Sequence, residues 1–266
     1  MILVEGVDHL ERRHGRLFVV LGVFDGLHLG HTYMLRELGR AAAQRGAAPG
    51  VITFDHHPDE ILAGSAPPLL CDPGERLERL AEAGVSLTVV DHFDLRTRMT
   101  PYDDYVRAIA MRVDLAGFLM THDSAFGFER GGTPERVGAL GRTLGYDVVV
   151  VPTLELDGRP VRSAEIRSDI AAGDLAAAAR LLGRPYSVVG DAERNASRDG
   201  DGTTIAFRVP VALPPPGTYG VRVVDDVRQL DPREQGGRDY RVIITPDHVS
   251  LGDGVRRPGP VRLIFA

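Results

Sequence analysis

The chain has 266 residues, is 43% hydrophobic and carries a formal charge of −6 with a pI of about 5.8. That is enough apolar material for two folded domains, and it excludes the basic face that general nucleic-acid or membrane-surface binding requires. There is no lysine, all 31 basic residues being arginine, so a Walker A lysine, a protein-kinase strand lysine, a Schiff base and a pyridoxal phosphate attachment are all excluded. Phosphate charge must be met by histidines, arginines, helix amides and a divalent cation. Cys71 is the single cysteine, which leaves no intrachain disulfide and no thiolate metal cluster. Met1 to Gly15 lacks a signal-peptide core, and no later run reaches the ~18 apolar residues of a membrane helix, so a cytoplasmic location is expected.

In chain order, Leu17 to Leu21 reads as a strand covered on both faces, and Met34, Leu35 and Leu38 recur at helical spacing after it. Between them lies Leu21-Gly-Val-Phe-Asp-Gly-Leu-His-Leu-Gly-His31. Gly22, Gly26 and Gly30 permit backbone angles and approaches that a Cβ blocks, and the helix that follows opens with unpaired amides and a positive dipole end, a place for an anion. His28 and His31 flank the helix start and can donate to one phosphate as charge builds on it. Asp25 either caps the turn or orients a ligand or histidine.

Further strands are expected near 50–54, 86–91, 115–120 and 147–151, with helices near 31–45, 73–83, 101–112 and 134–144. Asp72-Pro73-Gly74-Glu75 carries a cap, a first-turn proline and a glutamate three residues on. Helices alternating with strands imply parallel pairing, and both the Gly22–His31 loop and the Thr53–Pro58 loop leave the carboxyl ends of strands, where doubly wound sheets bind ligands. After Pro152 two short helices are expected, near 163–171 and 175–182, before the Gly183-Arg184-Pro185-Tyr186 boundary. Beyond it, Thr204–Val209, Tyr219–Val224, Tyr240–Ile244 and Val261–Phe265 read as strands of a small antiparallel barrel. The fold class is therefore α/β, a doubly wound Rossmann-like parallel sheet followed by a small antiparallel β-barrel, with domains at 1–186 and 187–266.

Four segments carry a family resemblance. Phe24-Asp25-Gly26 leading into His28-Leu29-Gly30-His31, and Thr53-Phe54-Asp55-His56-His57-Pro58, resemble the first two signatures of the HxGH nucleotidyltransferases, and within them of the bacterial bifunctional riboflavin kinase and FAD synthetase family. His122-Asp123-Ser124-Ala125-Phe126-Gly127, followed by Arg130 and Gly132, is similar to the family's flavin loop, with Ser124 and Ala125 departing from its usual Phe-Arg. Arg162-Ser163-Ala164-Glu165-Ile166-Arg167 takes the place of a phosphate-contacting Ser-Ser-Thr-x-Ile-Arg, keeping Ser163, Ile166 and Arg167. Order and spacing hold from about residue 15 to about residue 186.

The resemblance implies FMN adenylyl transfer from ATP with Mg2+. His28, His31 and Arg167 are then the catalytic residues, with Gly22, Val23, Phe24, Asp25, Gly26, Gly30, Ser163 and Ile166 at the nucleotide and Phe54, His57, Pro58, Asp123, Phe126 and Arg130 at the flavin or other acceptor. No metal ligand is assigned. The barrel resembles the family's riboflavin kinase only weakly: Ala206-Phe-Arg-Val-Pro-Val211 stands where its Gly-Phe-Pro-Thr-Ala-Asn is usual, and the chain stops at Ala266 without the family's terminal helix. No kinase activity is expected. Changes at Ser124, Ala125, Arg162 and Ala164 leave open a different phosphorylated acceptor, a CTP-dependent reaction, or a non-catalytic flavin- or nucleotide-binding protein.

Overall fold

Short apolar runs covered on both faces become a parallel sheet. In a computed structural model of the chain, which describes residues 1–197, 200–225, 227, 237–251 and 258–266, six strands form it: β1 (Ile2–Glu5), β2 (Arg16–Leu21), β3 (Ala48–Phe54), β4 (Leu87–Asp91), β5 (Asp114–Thr121) and β6 (Asp147–Val151). Their spatial order is β1-β4-β3-β2-β5-β6, every pair parallel. From β2 the chain winds through β3 to β4 on one side and through β5 to β6 on the other, so the carboxyl end of β2 is the switch point of a doubly wound sheet. The helices between are α1 (Leu29–Ala43), α2 (Pro58–Leu62), α3 (Pro73–Glu82), α4 (Leu95–Met99), α5 (Tyr102–Arg112) and α6 (Pro134–Leu144). Leu17, Val19, Ile52, Val89 and Phe118 from the strands join Val106 and Ile109 of α5 and Val137 of α6 in one apolar core.

By contacts the chain divides into two compact units, Met1–Phe24, Gly30–Pro67 and Leu77–Glu155 in one, and Asp25–Leu29, Pro68–Arg76 and Leu156–Ala266 in the other. The first motif's turn and the segment before α3 thus group with the C-terminal part. The second unit opens on the hairpin β7 (Glu155–Leu156) and β8 (Arg159–Pro160), turned by Asp157 and Gly158 at φ 53° and 76°, the pairing of left-handed residues that a tight hairpin wants. Two helices follow, α7 (Ser163–Ala171) and α8 (Leu175–Leu182), the latter capped by Asp174, whose carboxylate accepts from Ala177 N at 2.8 Å.

Six antiparallel strands then close a barrel: β9 (Ser187–Ser197), β10 (Gly200–Ala206), β11 (Gly217–Val224), β12 (Arg238–Ile244), β13 (Val249–Leu251) and β14 (Gly259–Phe265), in the order β10-β13-β12-β11-β14-β9. The strand expected at Thr204–Val209 ends at Ala206 instead, because the next stretch pairs elsewhere: Leu69 N donates to Pro210 O and Ala212 N to Leu69 O, both at 2.9 Å. Among the described residues no helix is long and apolar enough to cross a membrane.

Glu75 does more than open α3. Asp72 Oδ1 accepts from Gly74 N at 2.7 Å, as a cap should, while the Glu75 carboxylate is buried and takes Arg262 Nη1 of β14 at 2.5 Å. Arg262 also donates to Ser187 Oγ at 3.3 Å and to Val227 O at 2.6 Å. Two charges this deep are costly apart and tolerable together. Glu75→Leu or Arg262→Met alone is expected to lower unfolding free energy by roughly 3–5 kcal/mol, and the double variant to recover most of it. Urea unfolding checks this; additive losses would contradict it.

Candidate functional site

The turn after β2 is bent by residues that leave the ordinary backbone regions. Phe24 and Leu27 have φ of 55° and 37°, and Gly26 has φ 77°; for side-chain-bearing residues such angles carry strain that the surroundings must hold in place. A Cβ on Gly26 would lie 2.9 Å from Leu70 Cβ, so glycine is required by space as well as by angle.

The holding groups lie within the second unit. Asp25 is 3% exposed, and its carboxylate accepts from Leu70 N at 2.9 and 3.0 Å and from Arg167 Nη2 at 2.5 Å. Ser163 Oγ donates to the Asp25 carbonyl at 3.1 Å. Ser163 and Arg167 are one turn apart on α7 and so share a face, gripping one residue by its backbone and its side chain. Burial pushes the Asp25 carboxyl up, opposed first by Arg167 and then by the Leu70 amide; N–H donors converge on it, which is the environment an ionised carboxylate needs. Asp25 therefore ties the motif to Arg167 and Leu70 rather than capping α1. Arg167 Nε donates to Pro68 O at 2.7 Å, so two edges of its guanidinium are committed to the protein.

Arg184 completes the brace from outside the expected set. Its Nη2 donates to Gly26 O at 2.7 Å and its Nη1 to Leu27 O at 3.3 Å. The Gly-Arg-Pro-Tyr string was legible as a boundary, but nothing local marks its arginine as a clamp on a turn 158 positions away in sequence. His28 is 4% exposed, and its pKa is pushed down to about 3, first by burial and then by Arg184 and Arg167. It is a neutral imidazole at ordinary pH, able to donate one hydrogen bond in a field made positive by two guanidiniums. Cys71, also buried, is pushed up to about 12, chiefly by burial, which makes it an inert thiol.

Of the other residues expected at the nucleotide, Ile166 is 0% exposed and belongs to the core, so its side chain is not a contact surface. Gly22 N donates to Ile52 O at 3.0 Å, and Val23 O accepts from Thr53 Oγ1 at 3.1 Å. Gly30 is buried in the first turn of α1. In the first unit, the His31 ring is tilted against Phe24 with centroids 5.0 Å apart.

The first unit also contains a cavity of about 720 Å³ at the carboxyl ends of β2, β3 and β5, a volume in the small-molecule range. Phe54, His57, Pro58, Asp123, Phe126 and Arg130 all line it, together with Gly22 and Val23. His57 Nδ1 accepts from Asp59 N at 3.2 Å, which places the ring proton of its neutral form on Nε2. Phe126 packs by its ring edge on Tyr105 and obliquely on Phe118, at 6.2 and 5.9 Å, so it serves the core and the cavity wall at once. Gly127 (φ 75°) passes Tyr102 so closely that a Cβ would lie 2.6 Å from its backbone. Ser124 turns inward: its Oγ accepts from Thr121 N at 2.9 Å and secures the end of β5. Arg130 Nη2 donates to Asp123 O at 3.1 Å across the loop. Tyr105, Phe118 and Thr121 line the cavity too and were not singled out in the sequence. Their residue types alone read as core and strand end.

The His28 shift fixes a pH dependence. Between about pH 3 and pH 6.5 the unfolded chain binds a proton that the folded imidazole refuses, so stability falls as pH falls through that window, by at most ~1.4 kcal/mol per pH unit from this group. His28→Gln should flatten this slope in urea unfolding at stepped pH; an unchanged slope would show that His28 is protonated in the fold.

Comparisons with known proteins identify the family. The FAD synthetase family model matches residues 10–165. A bifunctional riboflavin kinase/FMN adenylyltransferase of Pseudomonas fluorescens is 29% identical over 191 residues, 71% of this chain and 61% of that protein. The one of Escherichia coli K12 is 30% identical over 233 residues, 84% of this chain and 74% of that one. The chain thus spans about three-fifths to three-quarters of the length of these relatives. The crystal structure of a macrolide-efflux protein from Streptococcus pneumoniae superposes with a TM-score of 0.76 at 21% identity, covering 99% of this chain and 88% of that one, which shows a shared fold. A family model that covers more than half of the chain shows that it belongs to the FAD synthetase family.

Proposed function

We propose that the chain is an FMN adenylyltransferase, transferring AMP from ATP to FMN and releasing pyrophosphate. The observation that carries this reading is the cavity at the ends of β2, β3 and β5, whose wall takes every residue expected at the acceptor from two separate motifs, Phe54, His57 and Pro58 from one and Asp123, Phe126 and Arg130 from the other. Aromatic walls with a few polar groups suit a flat tricyclic ring.

The chemistry asks little of a base. A phosphate oxygen of FMN is already anionic near neutral pH; it attacks the α-phosphorus of ATP, one P–O bond forms, the bond to the bridging oxygen breaks, and pyrophosphate leaves. Positioning and charge stabilisation remain. Neutral His28 donates one N–H to the α-phosphate, and the Arg167 and Arg184 guanidiniums beside it supply positive potential without leaving the brace. His31 and the opening amides of α1 add further donors. A Mg2+ ion carried by the nucleotide's own phosphates would supply charge to offset the leaving pyrophosphate. The donor set fits that mode, since Asp25, the one carboxylate between Gly22 and His31, already accepts from Arg167 and Leu70.

The same reading gives the barrel no riboflavin kinase activity. The threonine and asparagine positions of a kinase site are filled by Ala206–Val211, and Arg208 within it donates to Asp191 at 2.9 Å. Supply of ATP and FMN places the protein in the cytoplasm.

The test is product mass from purified protein with Mg2+, FMN and either ATP or CTP. FAD from ATP is the expected outcome, and His31→Ala should cut turnover ~10²-fold to 10³-fold with the fold intact. A cytidylyl product would reassign the nucleotide, and tight binding without pyrophosphate release would overturn the catalytic reading. Riboflavin with ATP should give no FMN above background.

A further inference from the structure

The ends of β3 and β4 carry a cluster that the adenylyl-transfer reading does not use. Asp55 and His56 follow β3, and His92 follows β4; the two strand ends are locked together, with Phe54 in register with Asp91 and Asp55 N donating to Asp91 O at 3.1 Å. One oxygen of Asp55 is spoken for: Oδ1 accepts from His56 N at 2.8 Å and from Phe93 N at 3.3 Å. That fixes the carboxylate plane and turns Oδ2 toward two imidazoles, His92 Nδ1 at 2.6 Å and His56 Nε2 at 3.8 Å. One ligand atom from each of the three residues lies within 4.8 Å of the other two. On the far side of His56, Nδ1 is 3.5 Å from Glu60 Oε2.

We propose that Asp55, His56 and His92 hold a divalent transition metal of the Zn2+ class, with water completing its coordination. Donors around such an ion stand ~2.0–2.2 Å from it, hence about 3.4 Å from one another in a tetrahedral arrangement. The 3.8 Å gap closes and the 2.6 Å contact opens to that value by small rotations of exposed side chains, while Asp55 stays pinned through Oδ1. Two imidazoles and one carboxylate select a borderline cation over Mg2+ or Ca2+, which favour all-oxygen shells. Glu60 then acts as the outer carboxylate that orients a ligating histidine through its second nitrogen. The ion joins two strand ends to the start of the loop that leads through His57 into α2. It is separate from the Mg2+ that accompanies the nucleotide, and the proposal does not rest on the adenylyltransferase reading.

The experiment is calorimetric titration of the metal-stripped full chain with ZnCl2, repeated with CoCl2 while recording the visible spectrum that reports N/O coordination. One equivalent of Zn2+ should bind. His56→Ala and His92→Ala should each weaken it by at least ~10-fold, with a smaller loss in Glu60→Gln, whereas His122→Ala and His248→Ala should leave it unchanged. Absence of saturable binding, or equal affinity in the His56 and His92 variants, would overturn the proposal and reduce the cluster to a hydrogen-bonded ion pair. Circular dichroism of each variant separates loss of a ligand from loss of the fold.

Discussion

The buried contact between Asp25 and Arg167 is the constraint on which the signature turn depends. Phe24 and Leu27 hold positive-φ backbone angles that cost a side-chain-bearing residue strain, and the groups that fix the turn come from far along the chain: Arg167 and Ser163 from α7, Leu70 from the segment before α3, and Arg184 at the entry to the barrel. A carboxylate this deep is stable only while those donors converge on it. The converse also holds, since each donor finds in Asp25 or its neighbours the acceptor that justifies its own burial.

This arrangement sets the electrostatics of the turn. Arg167 and Arg184 are held by backbone carbonyls and Asp25, so their charge is in place before any ligand arrives and costs no reorganisation when one does. His28 sits among them as a neutral donor. A lysine-free chain offers phosphate only guanidiniums, imidazoles and backbone amides of its own, and this turn holds two guanidiniums beside the neutral His28. The cavity of the first unit is built differently, from Phe54, Phe118, Phe126 and Tyr105, and offers apolar walls with His57 as its directed donor.

Much of this was legible because the sequence repeats its signals at several levels. The β2 run Leu17–Val20 is buried as its apolar continuity implies, and α7 and α8 fall at the expected 163–171 and 175–182. What escaped has local causes. β1 carries a short apolar run, Ile2–Val4, but buries only Val4 and is too short to be read as a strand from pattern alone. β13 is three residues long, and β7–β8 is a two-residue hairpin whose one signal is Asp157-Gly158. Glu75 reads as a helix-start residue yet is committed to Arg262, a partner 187 positions away that no local pattern announces. The same limit applies at the site. The family resemblance assigns Asp25, Ser163 and Arg167 to one nucleotide site, but that the second and third grip the first is visible only in three dimensions.

If the brace is what makes the turn competent, Asp25 and Arg167 act as one unit. A double-mutant cycle on FAD-forming kcat/KM, with Asp25→Asn, Arg167→Met and the pair, measures this directly. The account predicts strong non-additivity, the double variant being no slower than the worse single one and the coupling falling in the ~0.5–3 kcal/mol range of residues in contact. Losses that multiply independently would contradict it and would mean that Arg167 serves the phosphates alone.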